Sequence, residues 1–211
     1  SLQFISASLR IVLGKAFGYH DDTVNIPKYK IEDHEVESEY ERFIDATDRA
    51  STEISELKKK VEDSTNGNEV RFLDSHLLML RDPEFTGRVE RGLKDRKKNV
   101  EWILSEAMEE FVKQLQASGD SYLRERSVDI HDVAQRVLNH LLFRERISLA
   151  DISEEVVLVA HTLLPSEALQ MNRRMIRGIA MDAGGKTSHT AILARSFEIP
   201  AVLGLTNICK N

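Results

Sequence analysis

Val36, Tyr40, Phe43, Thr47, Ala50, Ile54, Leu57 and Val61 follow one another at steps of four, three, four, three, four, three and four. Residues spaced in this way line one face of a single helix, and such a stripe leaves water only when other helices cover it. The chain must therefore contain a long helix built into a helical assembly. The turn cluster Ser64-Thr65-Asn66-Gly67-Asn68 closes that helix, and Val70, Leu73, Leu77 and Leu80 carry a second helical run to a stop at Asp82-Pro83. A third runs from Trp102 through Ile103, Met108, Phe111 and Leu115 to Ser118-Gly119-Asp120, and a fourth carries Leu123, Val133, Val137, Leu138 and Leu141. Four helices joined by short connections predict an antiparallel bundle.

Both ends of the chain read differently. Phe4, Ile5, Ile11, Val12 and Leu13 surround Gly14 in a β-rich segment that ends near Tyr19-His20-Asp21-Asp22. After Arg144 three short apolar runs, 156–160, 176–181 and 200–203, alternate with helical stretches at 166–172 and 189–197. Strands alternating with helices predict an α/β layer.

With 211 residues and 41% hydrophobic content, the chain can bury one sizeable core or two small ones. No apolar run reaches the roughly 18 residues of a membrane span, and no leader precedes Phe4, so a soluble cytoplasmic protein is expected. The lone Cys209 excludes an internal disulfide framework and a multi-cysteine metal cage, and is read as a small apolar filler. A formal net charge of -6 argues against nucleic acid and for a neutral or basic protein partner.

The chemistry concentrates in Met181-Asp182-Ala183-Gly184-Gly185-Lys186-Thr187-Ser188-His189-Thr190-Ala191-Ile192-Leu193-Ala194-Arg195. Here a glycine-rich turn runs into an amphipathic helix with a histidine at the junction. The glycines let the backbone turn sharply, and Thr187 or Ser188 can cap the helix, whose amino end then forms an anion site. The helix dipole also disfavours a positive imidazolium there, which favours a ring with a lone pair able to attack phosphorus. Spacing alone leaves two readings open for His189, a phosphoryl acceptor or an ordinary first-turn residue behind a loop. His20, His34, His76, His131, His140 and His161 lack such a turn and form no metal-ligand spacing, so each is read as surface or core packing.

The block from Gly184 to Arg195, with Glu198-Ile199-Pro200-Ala201-Val202, resembles the phosphohistidine signature shared by enzyme I of the bacterial phosphoenolpyruvate-dependent sugar phosphotransferase system, phosphoenolpyruvate synthase and pyruvate phosphate dikinase. Upstream, Phe72-Leu73-Asp74-Ser75-His76, Leu80-Arg81-Asp82-Pro83-Glu84-Phe85, Tyr122-Leu123-Arg124-Glu125-Arg126 and Asp129-Ile130-His131-Asp132-Val133 resemble enzyme I specifically, as do Val157-Leu158-Val159-Ala160 and Leu164-Pro165-Ser166-Glu167. The resemblance implies an α/β phosphohistidine (swivelling) domain made from residues 1–21 and 145–211, interrupted by an inserted four-helix-bundle-like docking domain, 22–144. It implies phosphoryl transfer through a phosphohistidine at His189, from phosphoenolpyruvate to the histidine of the small carrier HPr. Gly184, Gly185, Lys186, Thr187 and Ser188 would position the phosphate. Lys186 is equally readable as a solvated loop charge, and Arg195, on a different helix face, as a structural ion pair rather than a phosphate contact.

Enzyme I proteins continue into a barrel that binds phosphoenolpyruvate and Mg²⁺ and through which they dimerise. This sequence stops at Asn211, so an N-terminal fragment that itself binds no metal is expected. In the docking domain, helical spacing assigns Leu73, Leu77 and Leu80 to the core and leaves Ser75, Leu78, Met79 and Asp82 nearer solvent. Leu78 and Met79, ringed by Glu69, Asp74, Asp82 and Glu84, are then the expected HPr contact, the alternative being that the carboxylates are only a solvated face. The chain departs from the pattern the resemblance implies at Leu164 and Ala168, where threonine is often found, at His131, where arginine is common, and at Ser6-Ala7-Ser8-Leu9-Arg10-Ile11, where a serine-proline-glycine turn is usual. A swivelling domain of a dikinase or synthase, and a non-catalytic docking module, are the alternative readings; the helical segment 22–144 counts against the first.

Overall fold

The computed structural model describes residues 5–6, 12–19, 26–62, 71–142, 148–184, 188–205 and 208–210. Val36–Glu62 form one helix, α1, with Phe43, Thr47, Ala50, Ile54, Leu57 and Val61 buried along the stripe. The helices α2 (Arg71–Arg81), α3 (Pro83–Arg96), α4 (Val100–Ala117) and α5 (Ser121–Leu141) follow. The structure is mostly helical with a small, largely parallel sheet.

The expected bundle of four helices thus has five among the described residues, and α3 is the addition. Asp82-Pro83 ends α2, but it also starts α3: the Asp82 side chain accepts a hydrogen bond from the Glu84 N–H at 2.9 Å, and Pro83 occupies the first turn, where its missing N–H costs nothing. Only Val89, Gly92 and Leu93 of α3 are buried, a stripe too narrow to register as periodicity.

A second correction concerns the face that α2 buries. Met79, expected near solvent, is 8% exposed, whereas Leu78 is 73% exposed. Leu77, expected in the core, is half-buried, and its place is taken by His76, whose Nε2 lies 3.1 Å from Asp129 on α5. The spacing Leu73, His76, Leu80 is as helical as Leu73, Leu77, Leu80, and a histidine with a carboxylate partner can occupy a core position.

Buried polar groups set how the helices meet. Glu39 accepts the Val100 N–H at 2.7 Å, satisfying one of the amino-terminal donors of α4, and Arg42 pairs with both Glu39 and Glu101. The buried Asn99 side chain accepts from the Tyr29 N–H at 2.9 Å and donates to the Pro27 carbonyl at 2.9 Å, which fastens the segment leading into α1 to the start of α4. Burial, with the nearby Glu101 and Glu39 charges, pushes the Tyr29 hydroxyl above its ordinary pKa.

The sheet has the order β1-β5-β4-β3-β2, formed by Ile5–Ser6 (β1), Lys15–Tyr19 (β2), Val156–Ala160 (β3), Ile176–Met181 (β4) and Ala201–Leu203 (β5). β2 to β5 run parallel, and β1 pairs antiparallel with β5 at the edge. Two short helices, α6 (Pro165–Leu169) and α7 (His189–Ser196), connect β3 to β4 and β4 to β5 and pack on each other. By contact density the chain divides into two compact units, residues 1–24 with 146–211, and residues 25–145. Among the described residues no helix is long and apolar enough to cross a membrane.

Candidate functional site

In a parallel sheet the strands end together, and ligands gather beyond their carboxyl ends. Here β3 ends at Ala160-His161, β4 at Met181-Asp182 and β5 at Leu203-Gly204. The backbone ties these ends to each other: the Asp182 N–H donates to the Ala160 carbonyl at 3.2 Å, that of Ala183 to His161 at 2.8 Å, and that of Leu205 to Met181 at 3.0 Å.

From this edge the chain turns at Gly184 with φ +105°, a conformation that L side chains rarely adopt. A Cβ there would lie 3.3 Å from Ser188 Oγ and 3.5 Å from Leu203, a tight but not forbidden fit, so the requirement for glycine comes from the backbone. Ser188, not Thr187, is the N-cap of α7, its hydroxyl accepting from the Ala191 N–H at 3.3 Å. His189 is the first residue of the helix and is half-buried. Gly185, Lys186 and Thr187 lie outside the described residues, as do Glu69 and the segment 7–11. Arg195 is exposed in the last turn of α7.

The two positions where the resemblance leads to an expectation of threonine have visible settings. Leu164 is the N-cap of α6 and makes no side-chain cap, leaving Pro165 at the first turn to start the helix. Ala168 is fully buried in α6, the helix that packs against α7.

Sequence reasoning passed over the residues that hold this edge together. Asp182 Oδ1 accepts the Ile208 N–H at 2.6 Å, and Oδ2 lies 3.3 Å from His161 Nδ1. Burial pushes the Asp182 carboxyl upward, but hydrogen bonds from Ile208, His161 and Cys209 outweigh it, so the group titrates below its ordinary value. Cys209, expected to be a filler, has a polar role as a hydrogen-bond partner of Asp182, and burial followed by the Asp182 charge raises its thiol pKa. The available signal was an acidic residue directly after an apolar run, which marks the carboxyl end of a strand.

On the helical unit, Asp74, Leu78, Asp82 and Glu84 are exposed. Two of these carboxylates are already paired: Asp74 with Lys58 at 2.8 Å and Glu84 with Arg88 at 2.9 Å. Asp82 caps α3. The ring around Leu78 therefore carries less unbalanced charge than the sequence suggests.

Two family descriptions match the chain, "PEP-utilising enzyme, N-terminal" over residues 5–126 and "PEP-utilising enzyme, mobile domain" over residues 152–211. It is 41% identical to a phosphoenolpyruvate-protein phosphotransferase of Listeria innocua across 98% of its own length and 36% of that protein's, and 37% identical to one of Bacillus subtilis across 96% and 35%. The chain thus spans about a third of the length of the curated relatives it matches. A solution structure of an Enzyme I protein superposes with a TM-score of 0.82 at 38% identity, covering 99% of this chain and 84% of that one. A glycine turn at φ +105°, a serine-capped histidine at a helix start and the matches along the chain converge on one assignment: this chain belongs to the phosphoenolpyruvate-utilising enzymes, and within them to the N-terminal region of enzyme I.

Proposed function

We propose that His189 is a phosphoryl acceptor and donor, receiving phosphate that originates in phosphoenolpyruvate and passing it to a histidine of an HPr-type phosphocarrier. The observation that carries this reading is the position of His189 as the first residue of α7, behind a serine cap and a +105° glycine. A ring nitrogen attacks phosphorus in line. The new N–P bond forms as the bond to the carrier's nitrogen breaks, or the reverse, so the exchange is reversible and neither gains nor loses electrons. The site contributes positioning and charge stabilisation, with helix-start N–H groups and the Ser188 hydroxyl as candidate phosphate partners beside Gly184, Gly185, Lys186 and Thr187.

Mg²⁺ belongs to the step that uses phosphoenolpyruvate, where it would neutralise phosphate charge. The described residues do not fit it, since no group of three or more His, Cys, Asp or Glu side chains is placed to hold a metal. That step is assigned to a part of enzyme I other than this chain. The helical unit, residues 25–145, is read as the carrier dock, with the exposed Leu78 at its centre and Asp74, Asp82 and Glu84 around it. Met79 is buried and is assigned to the core of the unit instead.

Incubation of the 211-residue chain with phosphorylated HPr, followed by mass analysis, should place one phosphoryl group on His189, and phosphoenolpyruvate with Mg²⁺ alone should place none. An unmodified His189 after incubation with the phosphorylated carrier would refute the assignment.

A further inference from the structure

We propose that Asp182 is a positioning residue for phosphoryl transfer at His189, acting through the turn it anchors; the proposal rests on the reading of His189 given above. The Asp182 side chain is 7% exposed, and a carboxylate so enclosed is tolerated only when donors replace the water it has lost. Its donors come from two distant segments. His161 reaches it from the end of β3, and the Ile208 N–H and Cys209 reach it from the turn Ile208–Lys210. The backbone on either side is held as well, by the Asp182-to-Ala160 and Ala183-to-His161 hydrogen bonds. Next comes Gly184, where the chain leaves the sheet at φ +105°. The carboxylate therefore fixes where the loop begins, and the Ser188 cap fixes where it ends at His189.

In-line transfer depends on the placement of the attacking nitrogen, so a loosened anchor lowers the rate while leaving carrier affinity on the helical unit untouched. The nature of the anchor predicts how far the conservative variant rescues the rate. In Asp182→Asn the amide oxygen can still accept from the Ile208 N–H, but its NH₂ then faces His161 Nδ1. That contact needs Nδ1 as an acceptor, whereas the carboxylate takes it as a donor, so the amide keeps one anchoring hydrogen bond and replaces the other imperfectly. Cys209 is the other titratable group bonded to this carboxylate, and it donates to it.

The test measures phosphoryl exchange between phosphorylated HPr and the 211-residue chain by rapid quench, with carrier affinity measured by calorimetry. Asp182→Ala should slow exchange by about 10- to 100-fold at unchanged affinity, the scale expected for a misplaced nucleophile. Asp182→Asn, which keeps an acceptor for the Ile208 N–H, should recover part of that rate and be slower than the parent by about threefold to tenfold, again at unchanged affinity. Should Asp182→Ala fail to fold, Asp182→Asn carries the test. Exchange as fast as the parent in both variants would overturn the role of Asp182 alone. A parent chain inert toward the carrier would instead remove the reading of His189, and this inference with it.

Discussion

Buried polar residues run all through the helical unit: Glu39, Thr47, His76, Asn99, Glu101, Ser105, Ser127, Asp132 and Gln135. In the α/β unit, among the described residues, Ser166 and Thr190 are the polar residues buried whole, and the enclosed Asp182 carboxylate gathers its partners at one edge of the sheet. The two units use polarity for different ends. In the bundle it fixes which helix meets which, because a buried carboxylate such as Glu39 must find the Val100 N–H and Arg42 or lose more than a hydrogen bond's worth of stability. In the α/β unit an apolar core makes the platform, and polarity shapes the backbone around His189. Damage to the first should appear as lost stability or docking, and damage to the second as lost chemistry.

The sharpest test of that division is His189→Ala, which should abolish phosphorylation completely while leaving both units folded, because a helix first turn tolerates alanine. A lowered melting midpoint would show that the histidine is structural. Phe43→Ala empties a fully buried position packed on Phe85 at 5.8 Å between ring centroids, and should cost about 3–5 kcal/mol in denaturant unfolding of the helical unit. Glu39→Ala should cost about 1–3 kcal/mol by stranding the Val100 N–H and removing a partner of Arg42. Leu78→Lys should weaken carrier binding by about tenfold, with no loss of stability because the side chain is already exposed; equal affinities in a titration would move the dock elsewhere. The smallest effect is expected in acid. The folded pKa of Asp182 is depressed, so its contribution to stability is full above the unfolded carboxylate value and fades as pH falls through the folded one. Asp182→Asn should therefore flatten the acid limb of the stability curve for the α/β unit, with the loss relative to the parent largest at neutral pH and vanishing as the pH falls through the folded value.

The helical stripe was legible because α1 is amphipathic over 27 residues, long enough for its period to stand clear of local noise. The runs 156–160 and 176–181 were legible as strands for the opposite reason, being short, apolar and bounded by polar turns. α3 was not, because its buried face reduces to Val89, Gly92 and Leu93 and its first residue is a proline that also reads as a stop. His76 was hidden by identity, since a buried histidine and a surface one look alike until Asp129 is placed beside it. At the site, the glycine turn and His189 could be read from neighbours in sequence. The Asp182 anchor could not, because its partners His161 and Ile208 come from segments that meet it only after the sheet has formed.

The order of the strands also bears on how the molecule is made. β2 pairs with β3, Lys15 beside Val156, and β1 pairs with β5, Ile5 beside Leu203, so each of these ladders joins chain segments on opposite sides of the whole bundle. During synthesis the helical unit has all of its sequence available first and, being rich in local contacts, can fold early. The amino-terminal strands must wait, and their exposed edges are an aggregation hazard until the last strand emerges. A finished bundle replaces a long flexible loop with a folded one, which lowers the entropy cost of bringing the amino-terminal strands to their partners.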